Sequence, residues 1–241
     1  ESTTQDELPI ADVKDDIIGM GTNKKIIAQV IAVFIAVYFG DIRLKGLYGI
    51  WGIYDIDIVL SILLSMITII GITNAINLID GIDCLAASIS FIICITFGIW
   101  LFAFGERAFS FLAFALCGSL LAFLRFNYTP PVIFMGDTGA LVIGFLISIF
   151  TIKFIDTTIY FSMNTQKISD PIVINQVVSA PAIAIGILIV PLFDTLRVFI
   201  IRILKLKSPF KPDKNHIHHL LIDAGLTHIQ ATIVLCLVNI F

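Results

Sequence analysis

Residues 58–79, 84–105 and 171–193 carry no charged side chain at all, and these three runs constrain the fold more than anything else in the chain. A helix of ~20 mostly apolar residues crosses the ~30 Å hydrocarbon core of a bilayer. Inside lipid, each backbone amide must find its partner within the spanning structure, which leaves helices or closed barrels. The ~10-residue alternating strands of a barrel are absent, so the runs read as helices. Apolar segments recur at 26–40, 56–76, 85–105, 108–125, 139–155, 178–203 and 229–241. The first is short and draws on Tyr38 and its flanks, and the last stops in mid-pattern at Phe241. Only 14% of the chain is charged, against ~25% in a soluble domain. A soluble enzyme, a disordered chain and a nucleic-acid-binding module are thereby excluded. The expectation is an all-α polytopic membrane bundle of about seven transmembrane helices, forming one domain over residues 1–241. Residues 1–14 are its polar leading segment. A chain that opens on Glu1 and stops within an apolar run further reads as a fragment lacking material at both ends.

Seven helices in series put connectors 1–25, 77–84, 126–138 and 204–228 on one side, and 41–55, 106–107 and 156–177 on the other. The first set and its helix ends hold Lys14, Lys24, Lys25, Arg125, Arg197, Arg202, Lys205, Lys207, Lys211 and Lys214. The second holds Arg43, Lys45, Arg107, Lys153 and Lys167. The positive-inside rule assigns the first set to the cytoplasm of an inner or plasma membrane. Cys84, Cys94, Cys117 and Cys236 lie in or beside apolar segments without CxxC or Cys/His spacing, which suggests neither a disulfide framework nor a zinc site.

The chemically suggestive residues gather on that same side. Asp15 and Asp16 are adjacent like charges, which favours a cation or a proton between them, although carboxylates at a helix start also complement its dipole. Asn77, Asp80 and Asp83 recur at i, i+3 and i+6, one polar stripe if the segment is helical. An Asp in a membrane segment costs ~2.5–3.5 kcal/mol on insertion scales and marks a functional site. Asp137 stands in Gly136-Asp137-Thr138-Gly139, where glycine permits close backbone approach. One or two carboxylates with phosphate oxygens and water suit Mg²⁺, while Asp137 or Thr138 also suits a helix cap. Arg197 at i+3 makes a local ion pair the simpler reading of Asp194, and Pro191 is placed to kink that helix. His216, His218 and His219 follow Lys211 and Lys214 in a donor-rich loop suited to pyrophosphate, with a helix expected to end near Gly225. All four histidines fall within 216–228.

From about Asp15 to Ile233, these motifs resemble the polyprenyl-phosphate N-acetylhexosamine-1-phosphate transferase family. The carrying stretches are Asp15-Asp16 with Lys24-Lys25, the Asn77-to-Asp83 segment, Phe134-to-Phe145, and Pro191 through His219. The His216-Ile217-His218-His219 run is similar to the branch that uses UDP-GlcNAc and undecaprenyl phosphate. The resemblance implies a Mg²⁺-dependent (or Mn²⁺-dependent) transfer of a sugar-1-phosphate, GlcNAc-1-phosphate in this branch, from a UDP-N-acetylhexosamine to undecaprenyl phosphate. UMP is released, and a lipid-linked precursor of a cell-envelope polysaccharide is formed. It implies Asp137 and Asp16 as metal ligands and Asp15 as a base or second electrostatic group. Asn77, Asp80 and Asp83 are implied on the donor, His216, His218 and His219 on the diphosphate, and Lys24 or Lys25 on the acceptor phosphate. Membrane lipid is a partner, nucleic acid is not, and a homodimer is compatible. The sequence departs from the family at Cys84, where Gly is usual, so a side chain is expected to crowd a tight turn there. A cation-coupled transporter and an inactive fragment of the family are the competing expectations.

Overall fold

The computed structural model describes residues 22–47, 53, 55–165, 180–205 and 216–240. Among them the chain is helical, with one isolated antiparallel bridge between Gly46 and Asp55. The helices are α1 (Thr22–Tyr38), α2 (Ile58–Leu78), α3 (Leu85–Ala103), α4 (Arg107–Asn127), α5 (Gly136–Thr165), α6 (Ala180–Ile187), α7 (Ile189–Leu204), α8 (Ile217–Asp223) and α9 (His228–Ile240). The all-α membrane bundle expected from the sequence is borne out, and each apolar segment coincides with one helix or a helix pair.

The number of spans differs from the expectation. Four helices, α2 to α5, are long and apolar enough to cross a membrane, and α6 with α7 makes up to five. The apolar parts of α1 and α9 are shorter, at 10–17 residues. Segment 178–203 is no single straight helix: α6 and α7 meet at 81°. Pro191 lies in the first turn of the second piece and has no N–H to bond the Ile187 carbonyl. The groups freed at the break are taken up by Asn239 of α9. Its Nδ2 donates to the Ile187 carbonyl (3.2 Å) and its Oδ1 accepts from the Val190 N–H (3.4 Å). A polar side chain in an apolar helix thereby satisfies backbone at the bend, as hydrocarbon surroundings demand.

The core lies between α2, α3 and α5. Burial from water does not drive helices together in lipid; close packing does, through small residues at the contacts. Thr73 of α2 and Ser90 of α3 are buried. At Gly144 of α5, an added Cβ would lie 2.8 Å from both Cα and carbonyl oxygen of Thr73, so α5 rests directly on the α2 backbone. Phe154 of α5 then fills the space beside α3, its ring 5.4 Å from Phe97 and 5.8 Å from Trp100. Gly144→Leu should lower stability by about 1–3 kcal/mol, the usual range for overpacking. Gly118→Leu, at a glycine whose Cβ would meet nothing within 4 Å, should leave thermal unfolding in detergent nearly unchanged.

Polar contacts sort to two ends of the bundle. At one end Arg43 Nε donates to Asp41 (2.7 Å), Lys45 reaches Asp156 (3.2 Å) and Thr157 donates to Glu106 (3.3 Å). Connector 41–47 is sewn to α2 there, with the Leu44 N–H donating to Ser65 Oγ at 2.8 Å. At the other end lie the start of α1, the 79–84 turn, the 128–135 connector and the α8–α9 region. This is the alternation the connector pattern predicts.

Candidate active site at one end of the bundle

Helix α2 stops at Leu78 with Ile79 as its cap, so the Asn77–Asp80–Asp83 stripe is not carried on a helix throughout. Asn77 leaves from the last turn, whereas Asp80 and Asp83 stand in the turn that follows, because the chain reverses through Gly81 to start α3. Cys84 closes that turn at φ 65°, in the left-handed region, which costs a side-chain-bearing residue ~1–2 kcal/mol. The expected crowding at Cys84 is thus a conformational cost. Asn127, at the end of α4, holds the turn in place. Its Oδ1 accepts from the Cys84 N–H at 2.7 Å and its Nδ2 donates to the Ile133 carbonyl at 2.8 Å. Burial and the Asp83 charge push the Cys84 thiol up, so it stays protonated and donates to the Asn127 carbonyl, 3.3 Å away. Cys84→Gly should raise stability by roughly 0.5–1 kcal/mol, the left-handed cost less the extra chain entropy of Gly and a weak S–H bond. Thermal unfolding measures this directly.

Above this turn opens a polar cavity of about 500 Å³, bordered by Lys25, Asn77, Asp80, Asp83, Phe134, Asp137 and His228 among others. Asp137 projects from the first turn of α5, where the helix dipole favours a carboxylate. Lys25 Nζ donates to its Oδ2 at 2.9 Å, and Asn77 Nδ2 lies 3.5 Å from its Oδ1. Three elements distant in sequence therefore meet on one carboxylate. Asp80 is pushed up to about 6, by burial and then by the Asp137 charge. The Asp137 charge adds to burial in holding back ionisation of Asp80, whereas Lys25 holds Asp137 in its ionised form; a cation between the two carboxylates would favour the charged form of Asp80 as well. Among the described residues no three or more His, Cys, Asp or Glu are gathered as a cage. The donor set fits a hard cation that draws its other ligands from phosphate and water.

The histidine run is built differently from its pattern. Asp194 is 2% exposed. Its Oδ2 lies 2.8 Å from His216 Nδ1, and its Oδ1 accepts the Ile217 N–H at 2.8 Å. A carboxylate from α7 thus caps α8 from outside, through a contact across 22 residues that the local i+3 reading of Asp194 does not predict. Helix α8 ends as the sequence predicts, with Gly225 at φ 97°. His218 is also 2% exposed. Its ring lies against Gly81, where an added Cβ would come 2.2 Å from Nε2, and that nitrogen has no partner among the described residues. Burial, then the neighbouring His219 and His216, push it down to about 4, so His218 is neutral at physiological pH. His219 is partly exposed beside it, the two rings 4.3 Å apart.

None of these three histidines borders the cavity; the fourth, His228, does. Its Nδ1 is 2.9 Å from Asp83 Oδ2. The sequence carried one signal for it. Thr227 and Gln230 form a capping box, with the Thr227 N–H to Gln230 Oε1 at 2.9 Å and the Gln230 N–H to Thr227 Oγ1 at 3.3 Å. That box marks His228 as the first residue of a helix. Asp15 and Asp16 lie outside the described residues, as does the side chain of Lys24, along with Lys211, Asp213, Lys214 and Asn215.

A family profile described as "Glycosyl transferase family 4" matches residues 10–155. A "Probable undecaprenyl-phosphate N-acetylglucosaminyl 1-phosphate transferase" of Bacillus subtilis (strain 168) is 39% identical over 159 residues, covering 66% of this chain and 40% of that relative. An "Undecaprenyl-phosphate alpha-N-acetylglucosaminyl 1-phosphate transferase" of Haemophilus influenzae (strain ATCC 51907 / DSM 11121 / KW20 / Rd) is 34% identical over 154 residues, covering 61% and 39%. One of the same name from Escherichia coli (strain K12) is 31% identical over 162 residues, covering 65% and 39%. The matched stretch spans about two-fifths of the length of these curated relatives.

Proposed function

The chain belongs to glycosyl transferase family 4, and we propose that it moves GlcNAc-1-phosphate from UDP-GlcNAc to undecaprenyl phosphate at the cytoplasmic face of the membrane. One observation carries this reading: Lys25, Asn77 and Asp137 converge from three helices on a polar cavity at one end of a membrane bundle. A lipid phosphate and a soluble nucleotide can meet only at such an end. The relatives' names supply the acceptor and the sugar.

In the reaction, an oxygen of the lipid phosphate attacks the β-phosphorus of the donor. The bond from that phosphorus to the bridging oxygen breaks, and UMP leaves with the electron pair. Such transfers rest on positioning and charge neutralisation. Lys25, already directed into the cavity, would meet the acceptor phosphate together with Lys24. Asn77, Asp80 and Asp83 would hold the donor, with Asp15 as base or electrostatic partner. Asp137 with Asp16 would hold Mg²⁺, which when bound neutralises the diphosphate and the charge on the leaving UMP. Partly exposed His219 would meet the diphosphate from α8, beyond the cavity wall, while His218, buried against Gly81, and His216, through Asp194, would keep α8 in place. A cation transporter would instead carry its carboxylates near mid-membrane, whereas Asp80, Asp83 and Asp137 stand at helix ends.

The test is UMP release by membranes containing the full-length gene product, across a panel of UDP-N-acetylhexosamines with and without polyprenyl phosphate. Release that requires the lipid, needs Mg²⁺ and is greatest for UDP-GlcNAc is the expected result. Release indifferent to the lipid would overturn the acceptor assignment.

A further inference from the structure

His228 is fixed more firmly than a helix start requires. Its capping box already secures the first turn of α9, yet the ring is also bound through Nδ1 to Asp83 Oδ2, 2.9 Å away. That same oxygen accepts from Thr129 Oγ1 at 3.3 Å. Thr232, one turn further along α9, donates to the Asp83 backbone carbonyl at 3.2 Å. The ring therefore has one orientation and is 45% exposed, on the cavity wall. In the neutral imidazole, a carboxylate on one nitrogen holds the proton there and leaves the lone pair on the other. The two nitrogens diverge, so Nε2 points away from Asp83.

Resting on the transferase reading above, we propose that His228 is a further donor-binding residue, whose Nε2 accepts a hydrogen bond from the nucleoside end of the sugar nucleotide. An acceptor beside an anionic Asp83 suits an N–H or O–H and repels a phosphate. The donor's ionised phosphates offer no hydrogen, whereas its uracil imide, its ribose hydroxyls and the hydroxyls and acetamide N–H of the sugar do; an aromatic neighbour on the same wall selects the nucleoside end. Phe134, 47% exposed on the same cavity, provides a flat apolar face for a pyrimidine ring.

The two amide side chains separate binding from fastening, because Asn reproduces the position of Nδ1 and Gln that of Nε2. UMP affinity is read by calorimetry on the detergent-purified full-length protein, and steady-state kinetics are read against UDP-GlcNAc. His228→Ala should weaken UMP binding and raise KM for UDP-GlcNAc about 10-fold while kcat stays within about threefold, the pattern of lost uniform binding. His228→Asn should be as weak as Ala, and His228→Gln should recover most of the affinity. Unaltered UMP affinity in His228→Ala would overturn the proposal. So would full recovery with Asn and none with Gln, which would leave His228 only a tie between α9 and Asp83. Should the Ala variant fold poorly, the Asn-against-Gln comparison decides alone. A wild-type protein that binds UMP and releases it from the donor, while Asn behaves as wild type, rejects His228 and leaves the transferase reading standing. A wild-type protein that neither binds nor releases UMP rejects both.

Discussion

Asp137→Asn should reduce lipid-dependent UMP release by about 10²–10³-fold, the range expected for loss of a preorganised electrostatic group at a reacting centre. The fold should barely register the change. Asp137 has a side chain 56% exposed, and its ion pair with Lys25 is of the surface kind that contributes ~0–1 kcal/mol. Asn keeps the volume and an acceptor for Asn77, but removes the charge that the other side of the cavity is arranged around. Activity and thermal unfolding measured on the same preparation should part company: turnover almost gone, midpoint within a degree or two. A variant that retains a tenth of wild-type turnover would remove Asp137 from the centre of the mechanism.

Asp194→Ala should behave in the opposite way. Asp194 and His216 have side chains only 2% and 6% exposed, and Asp194 also accepts the N–H that opens α8. Truncating one partner of a buried hydrogen-bonded pair costs about 3–5 kcal/mol. Stability should fall by that order in thermal or denaturant unfolding, and turnover should fall with it as α8 loses its hold. Asp194→Asn keeps an acceptor for the Ile217 N–H and should recover part of the stability. A stable Asp194→Ala protein with normal turnover would show that the α7-to-α8 contact does not support the site.

These two residues also mark where the sequence was legible. Helix positions follow from solvent physics: the uncharged run 58–79 became Ile58–Leu78, and the run 84–105 became Leu85–Ala103. Asp80, Asp83 and Asp137 were recognisable because a carboxylate at a membrane helix end needs a reason to be there, and Asn77 because it continues the same polar stripe. Pairings across the chain were not legible. Asp194 reads locally as a partner of Arg197, and nothing in its neighbourhood announces His216. The bend at Leu188 needs Asn239, about fifty residues later, to take up its backbone groups. Periodicity projected Asp80 and Asp83 onto a helix that ends two residues before Asp80. His228 was hidden by a richer histidine cluster beside it, although its partner Asp83 had already been singled out. The cost at Cys84 is a backbone conformation, visible from the sequence only through the glycine usual in the family.

The most direct test of phosphoryl transfer follows the phosphorus itself. UDP-GlcNAc labelled with ³²P at the β-phosphate is incubated with undecaprenyl phosphate and membranes containing the full-length gene product, and organic-soluble and aqueous label are counted. The account predicts that β-label moves into the lipid fraction in step with UMP release, and that almost none does so with Asp137→Asn. β-Label that stays in the water phase as UDP while sugar appears on lipid would mean the glycosidic bond is broken instead, and would contradict the proposed reaction.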